Sequence, residues 1–209
     1  YCTMDSIEFN LEAGIPTLDL KRYTKGSKED RKSFAEELGA AYRQIGFAAI
    51  SGHGVSEELI ASMYNEVKNF FSLPTEAKLK YSSQDGNNQR GFVKFGQEHA
   101  KGNKHADLKE FWQVGQTNIP ANANLTHYPP NVITEEFPEF SVRSEELYKS
   151  LEEVGLIVLE AIAMHLDLPL DYFRTRTEGG NSILRAIHYP PITNEPQSSV
   201  RSAEHEDIN

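Results

Sequence analysis

Residues 182–189, SILRAIHY, carry the reading on which the fold depends. Their apolar and polar residues fit an extended strand. Its two-residue period sets Ile183, Arg185, Ile187 and Tyr189 on one side and His188 on the other. After the loop 190–197 a second extended stretch, 199–209, ends in His205-Glu206-Asp207-Ile208-Asn209. Ahead of the strand lies a long helical pattern over 139–166, with Leu147, Leu151, Val154, Val158 and Ile162 on one face, closed by Pro169. Strands and a long helix in one chain predict an α+β class.

Further outward the signals change character. Residues 118–138 are rich in proline and asparagine and read as a long ordered loop. Asp107 and Glu110 fit a helix cap for the short segment 108–112, while 82–106 show little helical or strand period. The first 75 residues read as strand–helix–strand–helix. IPTLDL (15–20) is a short strand whose Pro16 suits an edge or a first position. Ser27 with Asp30 opens a capping box, and Phe34, Leu38, Ala41, Tyr42 and Ile45 recur at helical spacing until Gly46. GFAAIS (46–51) reads as a buried strand, Gly52-His53-Gly54 as a turn, and Ile60, Met63, Val67 and Phe71 as the stripe of a helix capped by Ser56 and ended by Leu73-Pro74.

The 209 residues carry a net charge of −10, 38% hydrophobic residues and 10% aromatics. That is enough apolar material for one sizeable core or at most two small ones, and it argues against wholesale disorder. An acidic chain lacks the basic face that nucleic-acid phosphates demand, so no nucleic-acid partner is expected. No apolar run approaches the roughly 18–20 residues that span a bilayer, so no membrane partner is expected. Residues 1–10 lack the layout of a signal peptide, and the single Cys2 cannot form an internal disulfide, which makes a reducing cytoplasm the expected compartment. No coiled-coil heptad is visible, and a monomer is expected.

Seven histidines offer candidates for chemistry, and His-x-Asp supplies two legs of the 2-His-1-carboxylate triad that holds non-haem Fe(II). The pattern occurs as His105/Asp107, His165/Asp167 and His205/Asp207, where chance predicts about 0.3 matches. His165 and Asp167 end a helix, where i and i+2 face apart, and they form no chelate. Asp107 is better explained as a cap. His205 and Asp207 share one side of an extended segment, but on geometry alone a solvated strand end explains them equally well. Tyr189 and Arg185 lie on one strand face. They are either core packing or a phenol and guanidinium for a carboxylate, and pattern does not separate the two. His188 reads as a satisfied structural histidine and His53 as a turn residue. Phe92, Phe95, Phe111 and Trp112 read as core before pocket lining. No Gly-rich phosphate loop, G-x-S-x-G or cysteine nucleophile is present.

Taken in order, IPTLDL, GFAAISGHGV, FFSLPTEAKLKY, DLKEFWQVG, LRAIHYPP and HEDIN resemble the isopenicillin N synthase-like family of iron(II)/2-oxoglutarate-dependent oxygenases over nearly the whole chain. The resemblance implies a double-stranded β-helix (jelly roll) core. Residues 1–120 would be its N-terminal α/β region, and 121–209 the long helix and first core strands, as one continuous unit. It implies that His205 and Asp207 are iron ligands, and that Tyr189 binds the distal carboxylate of 2-oxoglutarate. Plant members commonly have Asn where this chain has Ile187, and Arg185 matches a common residue without an assigned role. The implied activity is oxidation, by default hydroxylation, of a small molecule by O2 with release of succinate and CO2. The alternatives are a 2-oxoglutarate-independent oxidase and a scaffold without a metal site. The second histidine ligand and an Arg-x-Ser co-substrate motif are not found, so this polypeptide is expected to be part of a longer protein.

Overall fold

In a computed structural model the described residues are 7, 14–83, 89–97, 107–119, 128–192 and 201. In chain order they form β1 (Thr17–Asp19), α1 (Lys21–Lys25), α2 (Lys28–Gln44), β2 (Ala49–Ser51), α3 (Glu57–Phe71), α4 (Thr75–Leu79), β3 (Gly91–Val93), β4 (Glu110–Gly115), α5 (Pro138–His165), α6 (Arg174–Thr177) and β5 (Ile183–His188). The class is α+β. Contacts group the chain into two compact units, 1–56 with 150–180 and 57–149 with 181–209. Each unit combines segments distant in sequence, whereas the 1–120 and 121–209 division follows chain order.

In the first unit β1 and β2 pair in parallel, with Leu18 opposite Ile50. Helix α2 begins at the capping box read from Ser27 and Asp30. The Ser27 hydroxyl accepts from the Asp30 amide at 3.1 Å, and the Asp30 carboxylate accepts from the Ser27 amide at 2.9 Å. Those hydrogen bonds hold the Asp30 carboxyl below its ordinary range. At the other end Gly46 adopts φ +84°, a left-handed conformation that glycine reaches without steric cost. Leu18, Leu20, Tyr23, Phe34, Leu38 and Ala161 are buried together, with Val154, Ile157, Val158 and Ile162 of α5 packed against them. The Tyr23 hydroxyl donates to Glu160 at 3.0 Å, and the Arg31 guanidinium lies 4.6 Å over the Tyr23 ring.

Two expectations need correction here. GFAAIS is not a buried strand: Phe47 is 64% exposed and only residues 49–51 pair, because β2 has β1 alone as a strand neighbour among the described residues. Tyr42, read as part of the apolar stripe of α2, is 41% exposed. Period alone does not say how wide the buried stripe will be.

Helix α5 matches its expected span within a residue at each end. Its C-terminus closes with Leu168 N–H donating to Ala163 at 2.9 Å and Asp167 in the left-handed region at φ 52°. His165 ends the helix with both ring nitrogens engaged: Nδ1 is 3.1 Å from Glu36 and Nε2 is 2.9 Å from Arg43. A guanidinium only donates, so Nε2 accepts and the Nδ1 proton goes to Glu36. Gly39 makes room for this ring, because a Cβ there would overlap it. Gly39→Ala is therefore expected to cost about 1–3 kcal/mol of stability, the usual toll of overpacking. In a His165→Ala background the same change is expected to be neutral or stabilising, since alanine is the better helix former. Denaturant unfolding of the four proteins measures this, and equal costs in both backgrounds would show that the clash is not the cause.

The second unit is built on aromatic rings. Phe70 lies 4.9 Å from Phe140, 5.0 Å from Trp112, 5.6 Å from Phe71, 5.9 Å from Phe92 and 6.0 Å from Tyr81, centroid to centroid. Such pairs contribute about 0.5–1.5 kcal/mol each beyond area burial. Strands β3, β4 and β5 form one antiparallel sheet, with Phe92 opposite Trp112 and Trp112 opposite Ala186. The segment 108–112 is thus no capped helix. Residues 110–115 are a strand buried at every position, because the middle of a sheet is where Phe111 and Trp112 bury most area. Asp107 pairs with Lys109 at 2.9 Å instead of capping. Strand β3 lies in a stretch without period, and helix α4 begins directly after Pro74.

Candidate functional site

The register of β4 and β5 sorts the candidate residues by face. Glu110 pairs with His188, Trp112 with Ala186 and Val114 with Leu184 on the side packed against the aromatic cluster. Phe111 pairs with Ile187 and Gln113 with Arg185 on the opposite side. There the Arg185 Nε donates to the buried Gln113 Oε1 at 3.1 Å, and the guanidinium carbon lies 4.4 Å over the Phe111 ring. Ile183 and Ile187 are 38% and 43% exposed on that side. Tyr189 is half-buried and follows the last residue of β5. Continued alternation puts it on the side of Arg185 and Ile187.

His205 and Asp207, the expected metal ligands, lie outside the described residues, as do His99, His105 and His127. The structure therefore puts Arg185 on β5 and Tyr189 directly after it, and leaves the ligand pair unplaced. Among the described residues no group of three or more His, Cys, Asp or Glu side chains is arranged to hold a metal. The remaining histidines have other tasks. The Val55 amide donates to His53 Nδ1 at 3.1 Å within the turn, and His165 joins α5 to Glu36 and Arg43. His188 Nδ1 lies 2.8 Å from Glu110 Oε1, which bears out its reading as a satisfied structural histidine. Phe92, Phe111 and Trp112 are buried in the core as expected, whereas Phe95 is 45% exposed.

Sequence reasoning missed a buried cluster behind the strand end. Lys78 Nζ donates to both carboxylate oxygens of Glu110, at 2.9 and 2.8 Å, and to the Phe71 carbonyl at 3.2 Å. It lies 5.3 Å over the Phe92 ring. Lys78 is 4% exposed and Glu110 5%. The signal was present: Lys78 stands in FFSLPTEAKLKY, Glu110 in DLKEFWQVG and His188 in LRAIHYPP, three of the segments that carried the resemblance. A second buried cation, Arg90, donates to the Asn181 side-chain carbonyl at 2.6 Å and the Gln89 carbonyl at 2.8 Å. Its guanidinium lies against the backbone of Gly115, where any Cβ would collide with it.

Residues 15–136 match the sequence model of a family described as the non-haem dioxygenase in morphine synthesis N-terminal domain. The chain belongs to the non-haem dioxygenase family. Over 203 residues it is 31% identical to the proline hydroxylase buaE of Petromyces alliaceus, covering 93% of this chain and 61% of that protein. It is also 31% identical to a 1-aminocyclopropane-1-carboxylate oxidase of Dictyostelium mucoroides, covering 88% of this chain and 51% of that enzyme. The chain thus spans between half and two thirds of the length of these relatives. A crystal structure of a Caulobacter crescentus protein assigned to the 2OG-Fe(II) oxygenase family superposes with a TM-score of 0.74 at 38% identity, over 87% of this chain and 58% of that one. A Neurospora crassa protein solved in complex with alpha-KG and thymine matches with a TM-score of 0.74 at 22% identity over 91% of this chain and 61% of that one, a likeness of fold. Among the described residues no helix of this family member is long and apolar enough to cross a membrane.

Proposed function

We propose that the complete protein is an Fe(II)- and 2-oxoglutarate-dependent oxygenase that oxidises, by default hydroxylates, a small organic molecule as a monomer. The observation that carries this reading is the family match over residues 15–136, joined to a His-x-Asp pair at His205 and Asp207 beyond the Tyr189 strand. An imidazole with a carboxylate is the donor chemistry of a ferrous facial triad, so the residues present fit iron. Bound Fe(II) would supply the oxidation that turns 2-oxoglutarate and O2 into succinate, CO2 and an oxidised substrate C–H bond. Strands β3, β4 and β5 would be the opening strands of the jelly roll. The side bearing Arg185, Ile187 and Tyr189 would face the reaction.

In this reading the chain's own residues orient the reactants. His205 and Asp207 hold the metal, and the Tyr189 hydroxyl donates to the far carboxylate of 2-oxoglutarate. The test is succinate formation by the complete protein, with and without Fe(II) and with a panel of small substrates. Stoichiometric succinate per O2 supports the proposal. Absence of both succinate and O2 uptake with an intact ligand set removes it in favour of a scaffold. The likeness to a 1-aminocyclopropane-1-carboxylate oxidase favours a second reading, an oxidase without 2-oxoglutarate, which O2 uptake without succinate would establish. Tyr189→Phe is expected to raise the KM for 2-oxoglutarate about tenfold, the loss of one hydrogen bond to a charged group. An unchanged KM would make the ring a packing residue.

A further inference from the structure

The buried Lys78–Glu110 pair and the half-buried His188 join three elements at one point. Lys78 comes from α4, Glu110 is the first residue of β4 and His188 is the last residue of β5. Glu110 and His188 are register partners, and the carboxylate bridges them to Lys78 through the 2.8 and 2.9 Å contacts of Oε1. The Phe71 ring covers the His188 imidazole at 5.1 Å. Such a cluster is a poor way to gain stability, because two desolvated charges cost about as much as their attraction returns and apolar residues pack as well. What it provides is direction. Lys78 Nζ holds both carboxylate oxygens and so fixes where the carboxylate sits, and the carboxylate in turn holds the imidazole through its 2.8 Å contact.

The next residue in the chain is Tyr189. Strand β5 pairs with β4 alone among the described residues, so its last residue is where pairing would fray first. Pinning His188 on the core side fixes the backbone from which Tyr189 departs to the other side. We infer that Lys78, Glu110 and His188 are positioning residues that hold Tyr189 in place for the carboxylate of the 2-oxo acid co-substrate. The inference rests on the oxygenase reading, and it assigns to buried Lys78 and Glu110 and half-buried His188 a part in co-substrate binding although none of them contacts the co-substrate.

The experiment uses the complete protein and compares His188→Leu with His188→Asn, whose side-chain amide can still donate to Glu110. Hydrogen exchange of the metal-free proteins over residues 184–189 is read beside the KM for 2-oxoglutarate. Expected for His188→Leu are about tenfold faster exchange in that stretch and about a tenfold higher KM, with a smaller change in kcat; His188→Asn restores both to within about threefold. A folded His188→Leu protein with wild-type KM or wild-type exchange overturns the inference. If His188→Leu does not fold, His188→Phe, which keeps a ring against Phe71 and cannot donate to Glu110, is read in the same way, and failure of both to fold overturns positioning in favour of a purely structural cluster. Should the wild-type protein show no dependence on 2-oxoglutarate, the oxygenase reading fails on its own. The co-substrate part falls with it, and exchange alone decides whether His188 fixes the strand end: faster exchange in His188→Leu supports that, and unchanged exchange overturns it.

Discussion

Lys78→Met is expected to destabilise the protein by about 3–5 kcal/mol, the range found when one partner of a buried ion pair is removed. Methionine fills most of the space left by the lysine stem, so a cavity is not the main cost. The cost lies in Glu110, which is 5% exposed and would keep a carboxylate without the ammonium that now contacts both of its oxygens. The His188 imidazole remains at 2.8 Å, but it serves one oxygen only. Adding Glu110→Gln removes the stranded charge while leaving an oxygen for His188. The double variant is therefore expected to recover a large part of the loss. Denaturant unfolding of the two single variants and the double variant gives the coupling between the sites. A Lys78→Met protein within about 1 kcal/mol of wild type would mean that the pair is effectively solvated, contrary to its burial.

His205→Ala is expected to bring Fe(II)-dependent succinate formation down to background in the complete protein while leaving its unfolding transition in place. An imidazole of a facial triad binds the metal directly, so its removal leaves too few protein donors to retain Fe(II). Asp207→Ala is expected to act in the same way for the same reason. His105→Ala and His165→Ala separate the three His-x-Asp pairs. Neither is expected to lower metal binding, and His165→Ala is expected to cost stability through its lost contacts with Glu36 and Arg43. Metal content after dialysis is the independent readout. Full iron occupancy and turnover in His205→Ala would sink the ligand assignment whatever the family.

Much of the local structure was legible because its causes are local. The capping box at Ser27 and Asp30 formed as read, since both hydrogen bonds lie within one turn of helix. The span of α5 and the strand at 183–188 followed from periods of 3.6 and two. The segment 108–112 misled because Asp107 and Glu110 stand at the spacing of a capping box. In the fold Glu110 instead meets Lys78 of α4 and His188 of β5, partners 32 and 78 residues away. Similarly, no local pattern could say that GFAAIS would pair over only three residues and leave Phe47 in solvent.

By itself the sequence determined the family and which groups are candidates: Tyr189 at the end of an alternating strand, and His205 with Asp207 as a His-x-Asp pair. Donor chemistry and period are properties of residue types and their order. Tertiary structure decided the surroundings of the strand that ends just before Tyr189. It put Arg185 over Phe111 beside Gln113, and joined half-buried His188 to the buried Lys78–Glu110 pair behind the strand end. Those partners meet because antiparallel register brings distant residues face to face, and because a charge withdrawn from water must find its counter-charge wherever the fold places it.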